Sequence, residues 1–144
     1  MNCPTCGVSI ETHPANACLN ALVAERVMEL KGIEKTKSNP IVGKWEGSWM
    51  YMDKGWRRRL PKFSENIADA FQVVEKMKLS INKHRRGKTP LPFSLHYDPC
   101  SIIGGRKPMW CVETEADEMG PCEWVIGDTP QLAICRAALL ALEE

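Results

Sequence analysis

The segment Asp128-Thr129-Pro130, followed by Gln131 to Leu142, constrains this chain more than any other. Asp128 or Thr129 can accept a hydrogen bond from the first free N–H groups of a helix, and Pro130 suits the opening turn, where its missing N–H is harmless. Leu132, Ala133, Ile134, Cys135, Ala137, Ala138, Leu139, Leu140, Ala141 and Leu142 then make the helix apolar almost all round. Such a helix must be buried on more than one side, within the fold or against another subunit. The chain has 144 residues, which gives room for one domain with one core to receive it.

Two further helices follow from periodicity. Leu19, Leu22, Val23, Val27 and Leu30 recur at helical spacing, with Gly32 placed to end that helix. Ser64 can cap a second, whose stripe is Ile67, Ala70, Phe71, Val74, Met77 and Ile81. Between them, residues 33–62 read as irregular, broken by Pro40, Gly43, Gly47, Gly55 and Pro61, with Gly47 to Met52 extended. Phe93 to Tyr97, Met109 to Glu115 and Glu123 to Ile126 alternate as half-buried strands. Hairpin connections fit residues 102–106 and 118–121, and residues 85–90 read as a basic loop. The expected class is α/β in the α+β sense: a small antiparallel sheet packed between helices.

The N-terminus carries the sharpest motif. Cys3-Pro4-Thr5-Cys6-Gly7 has the form of a zinc knuckle, in which two thiolates reach one ion across a tight turn. His13 and Cys18 complete C-x2-C-x6-H-x4-C, a four-ligand set with no open position, which argues for structure over catalysis. A tail with incidental cysteines, or a C-x-x-C redox pair, are the alternatives. The expected organisation is a zinc-knuckle-like segment, residues 1–18, ahead of one domain, residues 19–144. Cys100, Cys111, Cys122 and Cys135 read as core residues rather than a second site.

Residues 45–63 concentrate the unusual chemistry: Trp45, Trp49, Tyr51 and Trp56, then Arg57, Arg58, Arg59 and Lys62. Aromatic faces stack on planar bases and guanidinium groups fork onto phosphates, so these residues are candidates for gripping a nucleotide-type anion. The competing reading has the tryptophans filling the core while the arginines face water. Duplex nucleic acid is disfavoured, because the net charge is only +1. No run of apolar residues approaches the ~20 that a membrane helix needs. Met1-Asn2-Cys3-Pro4 has no signal-peptide pattern, so the expected location is the cytoplasm.

Catalytic groupings are missing from the pattern. His84 and His96 stand isolated, Ser48 and Ser94 lack an elbow context, and Gly104-Gly105 reads as a turn rather than a phosphate loop. The expectation is a binding protein, not an enzyme.

Three blocks of the chain resemble a known family. They are Pro14-Ala15 with Leu19 to Met28, then Leu60 to Phe71 with Val73 to Met77, then Gly127 to Leu139. In that order they are similar to the small phage and prophage proteins of the phage ABA-sandwich domain family. The resemblance implies a sheet between helical layers and carries no catalytic residues with it. It also implies a phage accessory role, of which one form is a homo-oligomer that sequesters a nucleotide signal of host immunity. A zinc-stabilised adaptor that inhibits a host or phage protein is the second reading.

Overall fold

A computed structural model of the chain describes residues 2–35, 49–84, 93–101, 107–114 and 123–142. Trp45, Cys122, the basic segment 85–90 and the connections at 102–106 and 118–121 lie outside the described residues. The fold is α+β. Its elements run α1 (Ala17–Arg26), β1 (Lys31–Lys35), β2 (Trp49–Asp53), β3 (Trp56–Arg59), α2 (Ile67–His84), β4 (Phe93–Ser101), β5 (Lys107–Thr114), β6 (Glu123–Gly127) and α3 (Pro130–Ala141). A short 3-10 turn, Ile10–Thr12, precedes α1.

The apolar final helix is buried within the chain itself. Thr129 caps α3 by accepting from the Leu132 N–H at 3.3 Å, and residues Leu132 to Leu139 are all buried. The helix packs against α1, α2, β5, β6 and the 3-10 turn, while Leu140 and Ala141 are half-buried and Leu142 is exposed. At its entrance, a Cβ on Gly127 would sit 2.6 Å from the Ala133 nitrogen and 3.0 Å from its Cα. Neither backbone can yield cheaply. Gly127→Ala should therefore cost about 1–3 kcal/mol, read as a lower urea midpoint; an unchanged midpoint would contradict this close approach.

Two antiparallel sheets of three strands form where the sequence indicates one. The expected sheet is β4-β5-β6, with Leu95 opposite Val112 and Val112 opposite Val125. The second, β1-β2-β3, occupies the stretch read as irregular. Its hairpin turns through Lys54-Gly55, both at positive φ, between the paired residues Asp53 and Trp56. That two-residue geometry matches the right-handed twist of the strands.

Three local expectations change. The first helix ends at Arg26, and Glu29 at φ 56 turns the chain, with the Leu30 N–H reaching the Ala24 carbonyl at 2.9 Å. Gly32 instead lies within β1. The cap of α2 is Asn66, whose Oδ1 accepts from Ala68 N–H at 2.9 Å and Asp69 N–H at 3.2 Å. Ser64 is buried and bonded to Asn20. Finally, α2 buries Ala70, Val73, Val74 and Met77, while Ile67 and Phe71 are 40% and 53% exposed. Small and β-branched residues let α2 approach the alanine-rich α3, a contact that Phe71 would hold open.

Candidate functional site

The N-terminal segment is a tight loop closed by a bridge between Asn2 and Ser9. Cys3 N–H donates to the Val8 carbonyl and Gly7 N–H to the Cys3 carbonyl, both at 2.8 Å. Gly7 has φ 77, the left-handed conformation that a knuckle turn requires and that glycine adopts without strain. Cys18 belongs to the first turn of α1, whose cap is Asn16, accepting from the Leu19 N–H at 3.0 Å.

This folding brings the four expected ligands together. The sulfurs of Cys3, Cys6 and Cys18 and a ring nitrogen of His13 all lie within 4.8 Å of one another. Cys3 Sγ is 3.3 Å from Cys18 Sγ, and Cys6 Sγ is 3.1 Å from His13 Nε2. His13 Nδ1 lies 2.9 Å from the Pro14 carbonyl. A carbonyl only accepts, so Nδ1 carries the proton and Nε2 keeps its lone pair towards the sulfurs. Cys3 and His13 are buried, Cys18 is half-buried and Cys6 is exposed. The group can hold a metal ion, and its donors supply all four positions of a closed site.

Protons in the metal-free cluster are distributed unevenly. Burial works to raise the Cys3 thiol, but the N–H groups of Cys6 and Thr5 and the Cys18 thiol outweigh it, lowering Cys3 to about 6. Burial and the neighbouring Cys3 and Cys6 push Cys18 up to about 12. The two shifts run in opposite directions, so Cys3 is the more acidic thiol of the pair and Cys18 the less acidic. Cys111 and Cys135 are buried in the core, away from this group of ligands.

The aromatic and basic candidates divide. Trp49 and Tyr51 are half-buried and pack against the core from β2. Trp56 is 75% exposed. Arg57 pairs with Glu34 at 2.7 Å and Arg58 with Asp53 at 2.9 Å, both on the surface. Trp49, Arg59 and Lys62 line one cleft of 340 Å³, together with Asn16, Asn20, Leu60 and Glu65. The eight candidates therefore do not form a single grip: three share a cleft, two arginines are engaged in ion pairs, and Trp45 lies outside the described residues.

Sequence reasoning missed the cleft's other wall. Asn20 is buried, and its Oδ1 accepts from both the Ser64 N–H and Ser64 Oγ at 2.7 Å. Its Nδ2 donates to Glu65 Oε2 at 2.8 Å, which engages the acid among the described residues lining the cleft. A buried Asn in an otherwise apolar helix was the available signal.

Comparison with known proteins fixes the class. Residues 21–139 match the phage ABA sandwich domain, and the chain belongs to that family. A solved structure, described as a phage protein from Bacillus cereus ATCC 14579, is similar with a TM-score of 0.52 at 20% identity, over 92% of this chain and 94% of that one. At that identity the likeness is one of fold. No curated protein matches. All four candidate ligands precede residue 21, so this candidate metal site stands outside the matched span.

Proposed function

We propose that this chain is a non-enzymatic phage accessory protein that sequesters a small nucleotide-type anion of host immunity in the host cytoplasm, with zinc in the N-terminal knuckle as a structural tie. The supporting observation is the convergence of Trp49, Arg59 and Lys62 on the 340 Å³ cleft. That volume lies near the lower end of small-molecule sites, about 300–1,000 Å³. An aromatic face beside two cations suits a base with its phosphate. Three thiolates and an imidazole suit zinc, and a closed set leaves no position for an activated water. The reading includes a homo-oligomer, for which Ile67 and Phe71, one turn apart and exposed on α2, offer an apolar patch. Scattering in solution should return at least a dimer; a monomer removes that part.

Calorimetry against cyclic di- and trinucleotides and cyclic ADP-ribose isomers tests the ligand. Binding is expected, with the ligand recovered intact by mass spectrometry. Loss of stacking is worth about 1–3 kcal/mol per base, so Trp49→Ala should weaken binding roughly 10- to 100-fold while Arg57→Ala leaves it unchanged. Silence across the panel removes the idea, and a cleaved ligand makes the protein an enzyme.

The second reading, a zinc-stabilised adaptor for a host or phage protein, is favoured by Trp56, a large aromatic at a hairpin tip and 75% exposed. A partner captured by the wild type and lost in Trp56→Ala would support it over the cleft.

A further inference from the structure

Arg136 sits in the middle of α3 among Cys135, Ala137 and Ala138, and is 9% exposed. A guanidinium keeps its charge at any working pH, so it is tolerated in a core only where acceptors surround it. Its Nε and Nη2 both donate to the His13 carbonyl, at 3.0 and 2.6 Å, and its Nη1 donates to the Ile126 carbonyl at 2.8 Å. The planar fork thus closes on one carbonyl of the N-terminal segment and ties it to the end of β6.

That carbonyl belongs to a candidate metal ligand. Cys3 and Cys6 are held by the knuckle turn and Cys18 by α1, but His13 lies in the link between the 3-10 turn and the helix. Besides the His13 N–H, which bonds Ile10 at 3.3 Å, and Nε2 beside Cys6 Sγ, this residue is fixed by Nδ1 on the Pro14 carbonyl and by the Arg136 fork. Charge acts in the same direction. A divalent ion with three thiolates and a neutral imidazole carries one net negative charge, and a buried cation behind His13 offsets it.

We propose that Arg136 is a positioning residue for the metal centre: it fixes His13 for coordination and balances the charge of the thiolate-rich site. The proposal rests on the metal reading above. Groups that orient a ligand in this way typically contribute 10–100-fold in metal affinity.

Cobalt(II) uptake, followed by its visible absorption, and zinc affinity measured against a chromophoric chelator test it. The wild-type chain should take up one equivalent with the spectrum of a tetrahedral three-sulfur site. Arg136→Met should bind about 10- to 100-fold more weakly, with a changed cobalt spectrum. Arg136→Lys, which keeps the charge but not the fork, should fall between. Melting supplies the control for a merely structural role. In a Cys6→Ser background, Arg136→Met should lower the melting temperature less than it does in the zinc-loaded wild type. Equal melting losses in the two backgrounds, or wild-type affinity and spectrum in Arg136→Met, would overturn the role alone. A wild-type chain that takes up no cobalt would overturn the metal centre and this role together.

Discussion

Removing the metal with a chelator is expected to lower the melting temperature by about 10 °C. An ion that binds only the folded chain, at a thousand times its dissociation constant, stabilises it by about 4 kcal/mol. For a domain of this size each kcal/mol is worth roughly 2–4 °C. The knuckle's own loop is short and largely exposed, and only Cys3, Ile10 and His13 of it are buried among the described residues. Scanning calorimetry with excess zinc and then with EDTA measures the difference. Cys6→Ser should reproduce the chelated value, since Cys6 is exposed and its replacement removes a ligand without leaving a cavity. Identical melting with and without chelator would refute a structural metal. The affinity should also depend on pH with a definite sign. Ligation needs thiolates, and Cys18, pushed up to about 12, holds a proton that the metal must displace. From this pair the zinc affinity therefore rises about tenfold per pH unit between roughly 6 and 9. Below about 6, where Cys3 is also protonated, a second proton steepens the slope. A flat profile over that range would mean that Cys18 is not a ligand.

Asn20→Ala should damage the domain interior, at roughly 3 kcal/mol and about 9 °C in melting temperature. Its amide fastens α1 to the segment that leads into α2 through two accepted hydrogen bonds and one donated. Truncation strands the buried Ser64 N–H, and an unpaired buried donor costs more than the bond itself contributed. Ser64→Ala should cost only about 1 kcal/mol, because the Ser64 N–H keeps its acceptor. If the two substitutions are equally mild, the network is not cooperative. The same variants test the cleft, since Asn20 lines it and Ser64 does not.

How far the sequence spoke depended on whether a signal was local. The start of α3 was legible because the Thr129 cap and Pro130 act on their immediate neighbours. The four ligands were legible from spacing, and the loop geometry of Cys3 to Gly7 follows from it. The rotation of α2 was not, because Ile67, Ala70, Phe71, Val73, Val74 and Met77 offer two overlapping stripes. Only the close approach of α3 selects between them. The β1-β2-β3 sheet was hidden by its composition: its third strand, Trp56–Arg59, is exposed throughout and has no alternation to read. Arg136 was overlooked because a lone cation in an apolar helix looks like its wet face. In fact it is the helix's most specific contact.

The position of α3 in the chain also fixes an order of events. It is the last of the described elements, yet it touches both earlier helices, β5 and β6 of the β4-β5-β6 sheet and the N-terminal turn. The bond from Arg136 to His13 closes a separation of 123 residues. Contacts that distant in sequence close a long loop, and closing so long a loop is slow. Until α3 docks, the first helix and the cysteine loop keep apolar surface open, which exposes the folding chain to aggregation. Docking of α3 is therefore expected to come late in folding, when it drops into the space that the rest has prepared.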